Sequence, residues 1–224
     1  MFFGAALGNV VRGVPLDASG YFFEPLWTNF RLGEETGILD WYTILVGVLA
    51  LFALMMHGGI WVQMKTSGEV GARAGKLAER AWWGVVTLTA LVTALTFHIQ
   101  PQVKENFGTW PVGIVFPMLA VAGIAGVLFE LRKRDERKAF FASCAYLAGM
   151  LTSVVFGVYP MVLPARNPMY SLTVASAKAA DYGLKIGLAW WIIGIILAVG
   201  YFTYVYRSFA GKVVVDKDSH GYGN

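Results

Sequence analysis

The sequence specifies an all-α, polytopic transmembrane helix bundle, with five complete membrane-spanning helices preceded by a partial helix at the N-terminus. Three observations carry this. Five stretches, 41–64, 81–103, 107–129, 139–165 and 186–206, contain no Asp, Glu, Lys or Arg, and at about 1.5 Å per residue each reaches the roughly 30 Å hydrocarbon thickness. Charged residues make up only 14% of the chain while 57% is hydrophobic, against a usual charged share of about 25%. Tryptophan and tyrosine gather at the ends of these stretches, at Trp41, Tyr42, Trp82, Trp83, Trp110, Tyr201, Tyr204 and Tyr206, where amphipathic rings prefer the headgroup level.

In chain order, residues 1–11 are apolar but too short to span, and they lack the basic flank and small-residue cleavage site of a signal peptide. They read as the last half of a helix whose beginning is missing, with a short interfacial helix as the alternative. Residues 12–40 form a polar connection carrying Asp17, Glu24, Glu34, Glu35 and Asp40. The first full span is 41–64, followed by a basic loop at 65–80 and a second span at 81–103. In the third span, 107–129, Pro111 and Pro117 predict a bend in the first half. Its small residues Gly113, Ala120, Ala122, Gly123, Ala125 and Gly126 predict a helix buried in the bundle. The fourth span, 139–165, holds the one cysteine, Cys144, a small packing residue; a single cysteine excludes an internal disulfide and any multi-cysteine metal cluster. After the fifth span, 186–206, a polar tail is expected to be disordered beyond about residue 212. The organisation is thus a partial helix at 1–11, an outer-face loop at 12–40, a bundle at 41–206 and a cytoplasmic tail at 207–224.

The net charge of +4 reflects basic loops rather than a nucleic-acid partner. Loops 65–80 and 130–138 with the tail carry twelve Lys and Arg, whereas 12–40, 100–107 and 166–185 carry six. The positive-inside rule puts the first set, and the C-terminus, in the cytoplasm. The run from Arg132 to Lys138 reads as a loop that fixes topology and touches anionic lipid.

Intramembrane ionisable residues are functional candidates by default, and here these are His57 and His98. His57 stands in Met55-Met56-His57-Gly58-Gly59, where two glycines beside an imidazole leave room for a flat macrocycle and His/Met haem ligation is a known class. Against this, each histidine lies near the end of its span, where a neutral imidazole bonds a headgroup, water or a neighbouring helix. His57, His98 and Gln100 are the quinone or proton-route candidates, since a quinone carbonyl needs only a donor or two. His220, in the polar tail, reads as solvated. There is no Gly-rich phosphate loop, no pair of histidines on one helix face and no cysteine pair. No catalytic or metal-ligating residue is assigned.

Several stretches in order resemble subunit II of the cytochrome bd family of quinol oxidases, in its cyanide-insensitive branch. Gly8-Asn9-Val10-Val11-Arg12-Gly13-Val14-Pro15 is similar to the end of the family's fourth helix. Met56-His57-Gly58-Gly59 and Trp61-Val62-Gln63-Met64-Lys65-Thr66 resemble the close of its fifth. Tyr159-Pro160-Met161-Val162-Leu163-Pro164 and Ser171-Leu172-Thr173-Val174 resemble the end of the eighth and the loop beyond. Tyr182-Gly183-Leu184, Trp190-Trp191 and Tyr206-Arg207-Ser208-Phe209-Ala210-Gly211-Lys212-Val213 resemble the ninth and its basic exit. The match begins late in the family's fourth helix, so no functional residue of the earlier half is carried over. That start implies a truncation, a split gene or a late start. The resemblance implies an accessory, structural subunit of a terminal quinol oxidase in the bacterial cytoplasmic (inner) membrane. It also implies no cofactor on this chain, with haem b, haem d and a quinol elsewhere in the complex. The expected partners are a haem-bearing subunit I, membrane lipids and room for a small accessory subunit. The alternative is half of a membrane transporter, whose sites use broken helices and midplane polar groups; a truncated, inactive product is a third reading.

Overall fold

The computed structural model describes residues 1–33 and 36–213. Glu34, Glu35 and the tail from 214, with His220 and most of the stretch expected to be disordered, lie outside the described residues. The long helices are α2 (Trp41–Lys65), α3 (Gly68–Ile99), α5 (Val115–Arg132), α6 (Glu136–Val158) and α8 (Asp181–Ser208). Together with the turn before α5, they give five segments long and apolar enough to cross a membrane. Shorter elements are α1 (Phe2–Arg12), α4 (Pro101–Thr109), α7 (Val174–Ala177) and a two-stranded antiparallel ribbon of β1 (Met161–Leu163) and β2 (Leu172–Thr173).

The expected boundaries change where side-chain chemistry outweighs hydropathy. The stretch 65–80 is not a loop: α3 starts at Gly68, because Arg, Lys, Glu and Ala are good helix formers. At 32 residues and about 1.5 Å each, α3 exceeds the hydrocarbon thickness. The second span stops at Ile99 rather than 103, since Pro101 opens a separate helix. The proline bend in the third span is a full break: α4 ends at Thr109, a 3-10 turn covers Pro111–Ile114, and α5 begins at Val115. Pro117 falls in the first turn of α5, where its missing N–H costs nothing. The fourth span ends at Val158, ahead of Pro160, and the rest enters the ribbon.

Helices meet where glycine removes a side chain. At Gly123 of α5 a Cβ would stand 2.4 Å from the Tyr146 amide of α6, and at Gly149 of α6 it would stand 2.5 Å from the Ala120 amide. On α2, Gly59 lies against Ala74 and Ala78 of α3, and Gly47 faces the start of α1. The Trp82 indole of α3 donates to the Ile124 carbonyl, 2.8 Å away, tying α3 to α5. The expectation that the third span is buried in the bundle is corrected. In α5 Ala120, Gly123 and Val127 are buried, but Met118, Val121, Ala122 and Ala125 are exposed. Only the small residues spaced three and four apart share a face, so α5 packs on one side. No residue of α8 is buried.

Candidate functional site

One end of the bundle is closed by a buried ionic clasp. Helix α1 runs antiparallel to α2, so its last residue, Arg12, reaches Asp40, the N-cap of α2. The Arg12 guanidinium donates to the Asp40 carboxylate, to Asn9 Oδ1 at 2.7 Å, to Glu24 Oε1 at 2.6 Å and to the Gly37 carbonyl at 3.2 Å. Gly13 follows with φ 99°, a left-handed conformation open chiefly to glycine, and turns the chain so that Val14 pairs with Ala165. That pairing delivers Arg166, whose guanidinium donates to Glu24 Oε1 and to the Thr36 carbonyl, 2.9 Å away. Asp40 also accepts the amides of Tyr42 and Thr43 in a capping box, satisfying N–H groups that helix geometry leaves open. The Glu24 and Asp40 side chains are 1% and 0% exposed.

Two cations and two anions make the clasp neutral, and at Glu24 and Arg166 burial is the largest influence. Desolvation raises the pKa of Glu24 above its ordinary value, opposed by the nearby charges of Arg12 and Arg166. Desolvation likewise lowers that of Arg166. This is the balance expected where removing ions from water costs as much as their attraction returns. Such a clasp has no group poised over an open space to attack or protonate a substrate; it joins α1, α2 and two loops.

The structure brings none of the sequence candidates together. His57 Nδ1 lies 2.8 Å from Ser143 Oγ on α6, with its ring 4.8 Å from that of Phe140. Ser143 gives its hydrogen to the Phe140 carbonyl at 2.6 Å, so His57 Nδ1 is the donor in that pair. Gln100, at the opposite end of the bundle, donates to the Val11 carbonyl at 2.9 Å and latches α1 to the end of α3. His98 is exposed. Of the two glycines expected to make room for a macrocycle beside His57, Gly59 meets the α3 backbone at Ala74, 3.0 Å from a Cβ there, whereas Gly58 has nothing within 4 Å. Among the described residues no group of His, Cys, Asp and Glu could hold a metal ion.

Between the clasp and the bundle's middle lies an apolar cleft of about 470 Å³, with Phe3, Tyr42, Leu49, Val92, Phe107 and Met150 among its walls. Two of its hydroxyls pair with each other. Thr96 donates to the Val92 carbonyl, leaving Tyr42 OH to donate to Thr96 at 2.7 Å. A further latch missed in the sequence is Asn106 of α4, whose amide donates to the carbonyls of Phe156, Gly157 and Tyr159 and so closes the end of α6. Asp40 ahead of an apolar run, with Thr43 three residues on, is a readable cap. The Glu24 and Arg166 pairing, 142 residues apart, leaves no local trace.

The family described as cytochrome bd terminal oxidase subunit II matches residues 1–209. The chain is 27% identical to a probable cytochrome oxidase subunit 2 of Haemophilus influenzae, over 98% of this chain and 65% of that protein. It is 26% identical to the cytochrome bd ubiquinol oxidase subunit 2 of Bacillus subtilis, over 82% of this chain and 51% of that one. For the cytochrome bd-I ubiquinol oxidase subunit 2 of Escherichia coli K12 the identity is 22%, over 97% and 64%. The chain spans about half to two-thirds of the length of these relatives.

Proposed function

The chain belongs to the cytochrome bd terminal oxidase subunit II family, and from that premise we propose that it serves as an accessory, structural membrane subunit of an enzyme that oxidises quinol and reduces oxygen to water. The family match over residues 1–209 is the observation that carries this reading; it also sets aside the transporter alternative. Haem b, haem d and quinol chemistry then reside with a haem-bearing subunit I. The role of this chain's residues is to hold shape. The Arg12, Glu24, Asp40 and Arg166 clasp closes the outer end, while His57 and Gln100 act as helix latches. The basic ends at 65–80 and 130–138 face the cytoplasm of a bacterial inner membrane, as does the C-terminus.

Co-purification tests the reading. The chain should come off a column with a larger haem-bearing subunit, and removing it should weaken that partner's haem absorption bands. A chain that purifies alone, stable and with no haem protein attached, overturns it.

A further inference from the structure

The basic end of the bundle holds a second cleft, of about 910 Å³, bounded by the end of α2, the α5–α6 turn and the exit of α8. Five cations line it, Lys65, Lys133, Arg134, Arg137 and Lys212, against two acids, Asp135 and Glu136. Both acids are already engaged. Asp135 caps α6 and pairs with Lys138 at 3.0 Å, and Glu136 pairs with Lys212. That leaves Lys65, Lys133, Arg134 and Arg137 without a carboxylate partner among the described residues.

The cleft's other walls are aromatic. Trp61 stacks at 5.2 Å on Phe140 and at 5.7 Å edge-on to Tyr206, and Phe202 continues the row at 6.3 Å from Tyr206. Phe141, also lining the cleft, is 69% exposed. The segment after α8 is tied down, because Val213 donates to the Lys65 carbonyl at 2.7 Å and Ser67 donates back to that of Val213 at 3.1 Å. The helix above is unpacked. The result is a cationic mouth level with the ends of three apolar spans, opening onto an aromatic seam that runs into the membrane zone.

We propose that this cleft binds the headgroup of an anionic phospholipid, its phosphate among Lys65, Arg134 and Arg137 and its acyl chains along the seam beside α8. The charge selects the ligand: a zwitterionic lipid would bring its own ammonium to four cations that have no carboxylate partner among the described residues, whereas a phosphodiester with no amine fits. Basic pockets between helices at the membrane surface are suited to such headgroups. The aromatic seam separates a lipid from a free anion, which would gain nothing from it.

Arg134 supplies a variant that spares the fold. It follows the C-cap of α5 with φ 59°, a left-handed conformation that glycine adopts without the penalty of a Cβ. Arg134→Gly therefore removes charge while relieving the backbone, and Arg137→Gln removes a second charge from an exposed position. The purified protein, with whatever subunits accompany it, is equilibrated in mixed micelles holding equal phosphatidylglycerol and phosphatidylcholine, and retained lipid is counted by native mass spectrometry. Wild type should retain phosphatidylglycerol in preference, and each charge removed should cut that preference about fivefold with an unchanged melting temperature. Equal retention of the two lipids by wild type, or a preference untouched in the double variant, overturns the proposal. So does complete displacement of phosphatidylglycerol by millimolar inorganic phosphate, which would make the site one for a free anion.

Discussion

Helices α2 and α8 are both charge-poor, strongly apolar spans of similar length, yet 39% of the most apolar stretch of α2 is buried and none of that of α8. Glycine content does not separate them. Gly187, Gly194 and Gly200 of α8 have nothing within 4 Å of a Cβ position, whereas Gly47 and Gly59 of α2 meet neighbouring backbone at 2.9 and 3.0 Å. What α2 has in addition is polar fastening: the Asp40 cap within the clasp at one end and the His57–Ser143 pair on its other half. In lipid, apolarity cannot choose a partner for a helix, so on α2 the close-approach glycines act together with polar contacts that set register.

The largest effect expected from breaking that fastening is at Arg12. Arg12→Met strands Asp40 and half of the partnership of Glu24 in a buried place, a change that costs about 3–5 kcal/mol when one member of a buried pair is lost. Thermal melting in detergent should fall steeply; an unchanged melt would mean the clasp does not hold α2. Next is Gly123→Ala. Its Cβ would meet the Tyr146 amide at 2.4 Å, a backbone atom that cannot swing aside, and overpacking of this kind costs about 1–3 kcal/mol. A melt at the wild-type temperature would mean that α5 and α6 are not in backbone contact at this position.

These two sites also divide what was legible from what was not. The spans were legible because a charge in hydrocarbon is costly enough to clear whole stretches of Asp, Glu, Lys and Arg. Helix ends were read less well: charge runs such as 65–80 look like loops by hydropathy but are helical by propensity. The small-residue pattern around Gly123 is visible in the sequence, but it does not say how many faces pack, so it predicts full burial where the contact is one-sided. The clasp escaped because its acids looked like ordinary outer-loop charges, and only the pairing of residues 14 and 165 brings Arg166 to Glu24. His57 was singled out for its placement; its partner, Ser143, is 86 residues away.

Smaller effects sharpen the picture of polar fastening. A double-mutant cycle on His57→Phe and Ser143→Ala should give a coupling of about 0.6–2 kcal/mol, the range for hydrogen bonds between membrane helices. Zero coupling would leave glycine packing as the only register signal on that half of α2. For Glu24 the sign can be tested with pH. Burial raises its folded pKa above the ordinary 4.5, so the folded state holds the proton more tightly than the unfolded one. Its contribution is then fullest below pH 4.5 and is lost as pH rises through the raised value. The melting temperature of wild type relative to Glu24→Gln should therefore decline as pH rises from 4.5. A rise would mean that the two arginines, not burial, govern this carboxylate.

The smallest effect should come from α8. Gly194→Ala places a methyl where nothing stands within 4 Å, and alanine is favoured over glycine in a helix by up to about 1 kcal/mol. Within this chain the change should be silent or slightly stabilising, the opposite of Gly123→Ala with the same added atom. The pair of variants isolates packing from chemistry: same residue types, same spans, different neighbours. If Gly194→Ala lowers the melt of the purified chain, α8 packs on the bundle after all and the contrast with α2 fails. If the melt holds but the yield of co-purified haem subunit drops, the glycine face of α8 meets that subunit, and what α2 finds within its own chain α8 finds in another.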